Sequence, residues 1–485
     1  MEKLILSQGV FLRRGSNIAL YLPNDMRLFK IQSTDGKTLE EIASHIPPSM
    51  CHDSKPINEL PDPFSLQLRQ AILPMMVDAE TLRKLKIKPN IDRLTINISN
   101  ACNLWCAYCY ADHGHYHAER SLMSPNRACD IINRIYDVYG NISIIHFFGG
   151  EPLMNLPAVK SAAELIDAKF QASLIDRMPS FVATTNGTIS SKKVISLLKN
   201  YKISLTLSWD GPKEVQDDGR PMLGKGSSYD NLIRSIERFS ENDIPYDIEC
   251  TFNSSHLSAG MSIVNLMDFF FEKTGRKIIH IAPASTPNPY ITQGRRKDGI
   301  FRLSTDSEAK EFIPLEKIIE HYRVAARYSV QNFIKNEGPI LDMAYRVIQK
   351  LLNQQKSARY CPAFFDQLSI SADGSAYPCF MFMGDSKFRL GNVLDDVFPN
   401  EKSQEVFFQY FSEFGTDPIG TQAWYKNLFS GCIAGDFIST GEFNRRYLES
   451  LQEAIVEECI FGLAVKAEDV VREAAFKSSC NLNYL

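Results

Sequence analysis

Three cysteines on one short segment are the strongest chemical signal in the sequence. Cys102, Cys106 and Cys109 lie within ACNLWCAYCY at the spacing Cys-x3-Cys-x2-Cys. Three thiolates at this spacing can bind three irons of a [4Fe–4S] cluster and leave the fourth iron without a protein ligand. Zinc is the alternative, although tetrahedral structural zinc sites usually close with a fourth cysteine or histidine at short spacing. The spacing therefore favours an iron–sulfur cluster with one open iron, to which a cofactor can attach directly.

The elements that must position this segment alternate between strand and helix. From Ile91 onward, apolar stretches typical of buried strands are separated by amphipathic helical stripes. The predicted strands cover 94–98, 142–148, 180–185, 203–208, 246–252 and 278–284. The clearest helix has Ser124 as its N-cap and Pro125 in its first turn. Six strand–helix units predict an α/β fold with parallel strands, and helices at about 313–335 and 338–356 follow where a closed barrel would need two further units.

Length and composition exclude several classes of protein. A chain of 485 residues has room for about two to four domains. Its formal net charge of −4 gives no basic field, so nucleic acid is not an expected partner. The first residues lack the apolar region and cleavage site of a signal peptide, and no apolar stretch of about 18 residues predicts a membrane span. The eleven cysteines cluster once and then scatter, which favours a reducing cytoplasm over a disulfide framework.

The cysteine segment resembles the signature of the radical S-adenosylmethionine (SAM) enzymes, with the aromatic Tyr108 just before the third cysteine. The resemblance implies that the open iron of a [4Fe–4S] cluster binds SAM through its amino and carboxylate groups, with Tyr108 in the cofactor site. Electron transfer would then cleave SAM to a 5′-deoxyadenosyl radical, which abstracts a hydrogen atom from the substrate. It also implies a partial (β/α)6 TIM-like barrel for residues 91–310.

Motifs at the carboxyl ends of the predicted strands match the same family, and ligands of parallel α/β folds bind at those ends. Gly149, Gly150 and Glu151 follow the second strand and match the motif that binds the SAM amino group. Asn186 follows the third strand and matches the next motif. Ser208 ends the fourth strand, where the resemblance implies a contact with the SAM ribose or carboxylate. Taken alone, such a motif is also an ordinary turn at the end of a strand.

Other polar residues near these ends allow more than one interpretation. The resemblance places Asp210 near the substrate-facing cavity, and we predict it as a catalytic residue; a turn-forming aspartate before glycine is the alternative. Arg220 fits a recurring arginine of related peptide-modifying enzymes, or else a solvated loop arginine. His113, His115 and His117 alternate in the next loop, but with no carboxylate framework nearby we expect substrate contact or solvation there, not metal binding.

A second resemblance lies in the C-terminal third of the chain. The alternating segment LSISADGSAYPC, with its Asp-Gly turn, predicts a β-hairpin just before Cys379. Cys361, Gly374 and Cys379, with Cys432 further on, resemble the SPASM or twitch extension, which holds auxiliary iron–sulfur clusters. A full SPASM module has seven cysteines, but Leu428 stands where the cysteine before Cys432 would fall. The resemblance therefore implies one auxiliary [4Fe–4S] cluster with Cys361, Cys379 and Cys432 as ligands.

The fourth ligand of that cluster is open. Cys459, Cys480, a residue other than cysteine, or the bound substrate are the alternatives. Cys51, Cys129 and Cys250 are interpreted as structural, because a buried free cysteine behaves as a small apolar residue.

The N-terminal residues predict a small β-rich domain. GVFLRR, NIALYL and MRLFKI are predicted strands, and KTLEEIASHI a helix. This order resembles the leader-peptide recognition domain of ribosomal peptide maturation, in which a peptide adds a strand to a three-stranded sheet. A plain β-rich cap on the enzyme is the alternative. The predicted domains are 1–48, a connection at 49–90, the barrel at 91–310, bridging helices at 311–358 and the auxiliary-cluster domain at 359–485.

Together the resemblances imply a radical SAM peptide maturase. Its substrate would be a ribosomally synthesised precursor peptide, in which it installs a C–C, C–O or C–S crosslink. An external electron donor such as flavodoxin or ferredoxin would reduce the first cluster. The alternatives are an enzyme like the anaerobic sulfatase maturases, a radical SAM enzyme for a small molecule, and a non-catalytic iron–sulfur or zinc-binding peptide carrier.

Overall fold

A computed structural model describes most of the chain. The described residues are 1–6, 9–23, 26–32, 38–44, 90–284, 315–355, 367–395, 398, 424–425, 428, 432–440 and 449–465. The predictions for Cys51, Cys361, Cys480 and the connection at 49–89 lie outside these residues.

Two sheets organise the described residues. The N-terminal sheet has the order β1 (Glu2–Leu6), β2 (Gly9–Arg14), β3 (Asn17–Leu22) and β4 (Arg27–Gln32), all antiparallel. The larger sheet contains β5 (Ile91–Ser99), β6 (Ile142–Gly149), β7 (Ser180–Thr185), β8 (Ser204–Ser208), β9 (Tyr246–Phe252), β10 (Ile278–Pro283), β11 (Ile340–Leu341), β12 (Gln367–Ile370), β13 (Ser375–Tyr377) and β14 (Gly391–Asn392).

The strands β5 to β10 are parallel neighbours in chain order, with β11 next to β10. The hairpin β12–β13 joins the other side of the sheet, because β12 pairs in parallel with β5. The ends β11 and β14 do not pair with each other, so the sheet stays open. The predicted α/β fold with six parallel strands in a partial barrel is therefore confirmed.

Helices alternate with the parallel strands and cover their outer face. In chain order the helices are α1 (Leu39–Ser44), α2 (Pro125–Val138), α3 (Leu156–Gln171), α4 (Lys192–Asn200), α5 (Lys213–Gly219), α6 (Ser228–Glu241), α7 (Ser254–Ser258), α8 (Ile263–Thr274), α9 (Leu315–Lys335), α10 (Asp342–Asn353), α11 (Ile433–Thr440) and α12 (Glu449–Val465). Helix α2 begins as predicted: the Ser124 hydroxyl accepts a hydrogen bond from the backbone N–H of Arg127, and Pro125 occupies the first turn.

Alternation along the strands separates an apolar outer face from a polar inner face. On β5, Leu94, Ile96 and Ile98 are buried in the core with the helices, whereas Thr95 and Asn97 lie on the other face. We call this inner, concave face of β5 to β10 the lumen. The same alternation continues on the other strands, so polar side chains collect in the lumen.

The N-terminal sheet has four strands, one more than predicted. The additional strand β1 lies at the edge of the sheet, and three of its five side chains are exposed, so its sequence lacks the buried alternation that marks the other three. Phe11 and Leu20 pack on α1 through Leu39, whereas Leu12 and Tyr21 face the main core. Both faces of this sheet are thus covered.

Ion pairs fix the N-terminal sheet to the C-terminal helix. Glu457 and Glu458 on α12 are buried, and Glu458 pairs with Arg14 of β2 and Arg327 of α9. Arg323 pairs with Glu457 at 2.8 Å. Buried carboxylates need such partners, so these pairs hold the sheet, α9 and α12 in one arrangement. None of the helices in the described part of the chain is long and apolar enough to cross a membrane.

Candidate active site

The three-cysteine segment follows β5 directly and is held by a second loop. The backbone N–H of Trp105 donates to Pro221 O at 2.8 Å, and the N–H of Leu223 donates to Asn103 O at 2.8 Å. These bonds form a short antiparallel ribbon between the cysteine segment and the residues after α5. The ribbon fixes the backbone between the first and second cysteines. A rigid cluster requires ligands that are held in fixed positions in this way.

The end of β6 touches the cysteine segment at two glycines. A Cβ at Gly150 would lie 2.5 Å from Ala101 O and 3.1 Å from Cys102 Cβ. Gly149 has φ +137°, and a Cβ there would lie 2.4 Å from Asn97 Oδ1. The Gly-Gly pair of the predicted motif is therefore needed for close backbone approach to the cysteine segment.

Gly150→Ala is expected to lower cluster content, because the added methyl group would push the backbone at Ala101 and Cys102 away. We expect less iron per chain after anaerobic reconstitution, measured against Gly260→Ala. Gly260 has φ +66°, and a Cβ there would have no neighbouring atom within 4 Å, so that variant carries backbone strain without a clash. Equal iron content in the two variants would contradict this account of Gly150.

Glu151 is fully buried at the centre of the predicted motif. Its carboxylate accepts hydrogen bonds from the N–H of Leu153 at 2.9 Å, the hydroxyl of Thr185 at 2.8 Å and the N–H of Asn186 at 2.8 Å. Burial raises the pKa of Glu151 to about 7, although these hydrogen bonds oppose the shift.

The burial of Glu151 changes the expected contact with SAM. A carboxylate with no exposed surface cannot receive an ammonium directly, whereas the backbone at Gly149 and Gly150 is partly exposed. The geometry therefore favours the glycine carbonyls as the acceptors for a SAM amino group, with Glu151 joining the ends of β6 and β7. The predicted role of the motif in cofactor binding stays a prediction.

Two further predicted cofactor residues lie at neighbouring strand ends. The side-chain amide of Asn186 is 3.7 Å from Cys102 Sγ and donates to Asn103 Oδ1 at 2.9 Å. Ser208 lies at the end of β8, is partly exposed, and is paired across the sheet with Glu249. The structure thus brings Asn186 against the cysteine segment and leaves Ser208 facing the lumen.

Asp210 is completely buried beneath the cysteine segment. Its carboxylate receives Arg220 Nε at 2.9 Å, Arg220 Nη2 at 3.1 Å and the N–H of Thr251 at 3.0 Å, and the Tyr108 hydroxyl also donates to it. The Arg220 guanidinium lies 5.3 Å from the centre of the Tyr108 ring. With no exposed surface, Asp210 positions Arg220 and Tyr108 in this structure, and its predicted catalytic role stays a prediction.

Arg220 is buried as well, contrary to the alternative of a solvated loop residue. Burial raises the pKa of the Cys106 and Cys109 thiols, and the positive charge of Arg220 opposes that shift at both. Burial also raises the pKa of Cys102 to about 11. Metal binding to such thiols must therefore displace protons, and Arg220 assists by stabilising the negative thiolates.

The three cysteines suit a [4Fe–4S] cluster by their number and spacing. Each cysteine of such a cluster binds a different iron, so the sulfurs lie further apart than the ligands of one ion. Among the described residues, no three His, Cys, Asp or Glu side chains converge as ligands of one metal ion. In the next loop, His113 stacks on Trp105 with 3.6 Å between ring centres, and His117 faces Asp112 at 3.7 Å.

Cys379 and Cys432 lie in one apolar cluster that also contains Cys109. Cys379 follows the predicted hairpin, which is confirmed as β12–β13 with Gly374 at φ +91° in the turn. Cys432 precedes α11 and accepts the N–H of Gly435 at 3.3 Å. The structure thus places two of the three predicted auxiliary ligands in the same apolar cluster as Cys109, while the third, Cys361, lies outside the described residues.

Aromatic side chains surround the cysteines of this apolar cluster. The Phe380 ring lies 4.7 Å from Phe148 and 6.4 Å from Tyr110, and Tyr110 lies 6.3 Å from Tyr116. We call Tyr110, Tyr116, Phe148 and Phe380 the aromatic layer. These four side chains belong to the same apolar cluster as Cys109 and Cys379.

The other described cysteines lie elsewhere. Cys459 is buried in the main core between α10 and α12, and its thiol faces Ala344 O at 3.8 Å. Cys459 therefore lies in a different core cluster from Cys379 and Cys432. This position makes Cys459 an unsuitable fourth ligand for a cluster bound by those two cysteines. Cys129 contacts the backbone of α3, and Cys250 is buried in β9, in agreement with the structural interpretation.

Comparisons with known proteins agree with this geometry. The sequence profile of the Radical SAM superfamily matches residues 96–258. The cysteine-type anaerobic sulfatase-maturating enzyme of Clostridium perfringens is 23% identical over 358 residues, which are 71% of this chain and 89% of that protein. The radical SAM cyclopropyl synthase TigE of Paramaledivibacter caminithermalis is 24% identical over 178 residues, which are 33% of this chain and 35% of that protein.

A solved structure, native anSMEcpe with bound AdoMet and Cp18Cys peptide, has the same fold, with a TM-score of 0.60 and 19% identity over 79% of this chain and 99% of its own. Residues 96–258, about a third of the chain, therefore form a radical SAM domain. The cofactors of this class are SAM and a [4Fe–4S] cluster, and the three-cysteine segment fits both.

Proposed function

We propose that this radical SAM enzyme is a peptide maturase that installs a C–C, C–O or C–S crosslink in a ribosomally synthesised peptide. The observation that carries the proposal is the apolar cluster shared by Cys109, Cys379 and Cys432. A crosslink removes two hydrogen atoms from the peptide, so it needs an electron acceptor close to the site of hydrogen abstraction. An auxiliary [4Fe–4S] cluster at Cys379 and Cys432, with Cys361 as a further ligand, would be that acceptor.

The roles of the chain's own residues follow from their contacts. Cys102, Cys106 and Cys109 would hold the first cluster, which together with SAM supplies the hydrogen-abstracting radical when bound. Arg220 stabilises the thiolates, and Asp210 fixes Arg220. The aromatic layer excludes water around the cysteines of the apolar cluster, which protects a radical from side reactions. Asn186, Ser208, Tyr108 and the two glycines are proposed to contact SAM.

The N-terminal sheet supports a peptide substrate. Within the described residues, its edge strands β1 and β4 each pair on one side only, so an extended peptide can add a strand to either edge. The similar anSMEcpe structure also contains a bound peptide, Cp18Cys. In this proposal the domain division at residues 48, 90, 310 and 358 stands as predicted, with residues 1–48 recognising the leader of the peptide.

An external flavodoxin or ferredoxin is the proposed electron donor, and the cytoplasm the proposed location. Trp105, next to Cys106, is 45% exposed, so a donor can approach the first cluster closely at this point. Electron transfer between two proteins requires a short distance between the donor and the acceptor.

A second candidate function is supported by one observation. The anaerobic sulfatase-maturating enzyme aligns over 89% of its own length with this chain. An enzyme of that type would oxidise a cysteine or serine side chain of a protein, which gives an aldehyde and no crosslink.

Product chemistry separates the two candidates. The anaerobically reconstituted enzyme would be incubated with SAM, a reductant and synthetic peptides taken from any short reading frames that adjoin its gene. We expect deoxyadenosine and a peptide that has lost two hydrogens, does not react with a hydrazide reagent and contains a new bond in tandem mass spectra. A hydrazide-reactive product would favour the second candidate, and no SAM-dependent deoxyadenosine would contradict both.

A further inference from the structure

The lumen holds a polar group that the proposed cofactor sites do not use. On β9 and β10, Cys250 and Ile281 are buried in the outer core, so Glu249 and His280 lie on the lumen face. These two residues are direct partners across the paired strands, and Ser208 is the partner of Glu249 on its other side. Two strand spacings, about 10 Å, therefore separate His280 from Ser208 at the same level of the barrel.

His280 is oriented by a carboxylate through one ring nitrogen only. Its Nδ1 lies 3.0 Å from Asp342 Oδ2 at the start of α10, and Arg346, one turn later, donates to both oxygens of Asp342. In the neutral ring this contact favours the proton on Nδ1 and leaves a lone pair on Nε2. No other described residue hydrogen-bonds to Nε2, and the His280 side chain is 36% exposed.

We propose that His280 is the proton acceptor of the reaction, with Asp342 as its positioning residue and Glu249 as a second carboxylate beside it. This inference rests on the proposed function. A C–O or C–S crosslink requires the substrate O–H or S–H group to lose a proton. In that step the heteroatom–hydrogen bond breaks, its electron pair stays on the heteroatom, and a new N–H bond forms at His280 Nε2.

The charges around His280 suit this role. Burial lowers the pKa of His280, but the hydrogen bond that it donates to Asp342 and the negative charges of Glu249 and Asp342 outweigh burial and the opposing Arg346, so the net direction of the pKa shift is upward from 6.5. The Glu249 carboxylate is partly exposed and makes no hydrogen bond or ion pair to another described residue. It is therefore free to stabilise the imidazolium that proton transfer creates.

The position is also suitable for a substrate. Thr251, two residues beyond Glu249 on the same face, donates its N–H to Asp210 directly below the cysteine segment. His280, which pairs with Glu249, thus lies two residues further along the strands from the cysteine segment than the Thr251 level, where Asp210 binds Arg220. A side chain that entered between the cluster and the base of the lumen would contact the radical site and His280 together.

The test is the pH dependence of crosslinked peptide formed per deoxyadenosine, with the same synthetic peptides as in the product assay. In the wild type this ratio is expected to fall as the pH drops below the raised pKa of His280, because the protonated ring cannot accept a proton. Glu249→Gln is expected to move that fall to lower pH, since one stabilising carboxylate is lost. His280→Gln is expected to reduce the ratio at least tenfold and to remove the pH-dependent fall.

His321→Gln is the matched control. His321 is a histidine of α9 that packs on Phe252 at the outer face, and its variant should keep the wild-type ratio and pH profile. If the His280→Gln variant kept a ratio within twofold of the wild type and the same fall at low pH, this inference would be wrong. The proposed function would not be affected. The inference would also be wrong if the fall at low pH occurred at the same pH in Glu249→Gln as in the wild type. Wild-type enzyme that leaves the peptide unchanged would overturn the proposed function as well.

Discussion

Simultaneous replacement of Cys102, Cys106 and Cys109 by alanine is expected to abolish SAM cleavage and to reduce the iron content from about eight per chain to about four. The reason is that the three thiols are the protein ligands of one predicted cluster, while Cys379 and Cys432 are predicted ligands of another. Iron and sulfide analysis with electron paramagnetic resonance of anaerobically purified protein would measure the loss. Deoxyadenosine formation would fall to background in the same preparation.

Cys129→Ala is the control, because Cys129 lies on α2, away from both cysteine groups, and its thiol faces the backbone of α3. It should keep both the iron content and SAM cleavage. About twelve irons in the wild type would show that the chain holds a full set of two auxiliary clusters. About four irons that fall to none in the triple variant would remove the auxiliary cluster and, with it, the main argument for a crosslinking maturase.

The parallel strands can be predicted from the sequence because their outer faces are continuous apolar patterns. The strand predicted at 180–185 is β7, and the one predicted at 246–252 is β9, with the same bounds in the structure. Periodicity records burial on one face of a strand, so it is strong wherever helices cover that face. Strand β1 is not predicted, because it is an exposed edge strand and its sequence does not alternate between buried apolar and exposed polar residues.

The pairing of β12 with β5 cannot be predicted from the sequence. The hairpin turn at Asp373 and Gly374 is a local signal, and it predicts the hairpin correctly. Its attachment to β5 depends on backbone hydrogen bonds between segments far apart in the chain, and such bonds leave no mark on residue types. This attachment is nevertheless what brings Cys379 near Cys109.

The sequence predicts the positions of site residues more reliably than their roles. The family motifs place Glu151 and Asp210 at the ends of strands, but both carboxylates are completely buried and bonded to protein groups. A motif reports which residue type is present, whereas exposure depends on the surrounding packing. Arg220 illustrates the same point, since nothing in its local sequence distinguishes a buried partner of Asp210 from a solvated loop residue.

The buried pair of Asp210 and Arg220 leads to the second prediction with a large effect. Asp210→Asn is expected to lower the free energy of unfolding by about 3–5 kcal/mol, because it leaves the guanidinium buried without a negative partner. SAM cleavage should fall at least tenfold as well, since Arg220 and Tyr108 lose the group that positions them beside the cluster. Anaerobic denaturant titration and deoxyadenosine formation would measure the two effects.

A double variant distinguishes charge from packing at this position. Asp210→Asn combined with Arg220→Gln removes both charges, so it should recover much of the lost stability while SAM cleavage stays low. Asp230→Asn is the control, because Asp230 pairs with Lys213 at an exposed position and its loss should leave stability unchanged. If the double variant were no more stable than Asp210→Asn, the hydrogen bonds from Thr251 and Tyr108, and not the unpaired charge, would be what Asp210 provides. The ion pair would then have a functional role beside the cluster without being the main source of stability there.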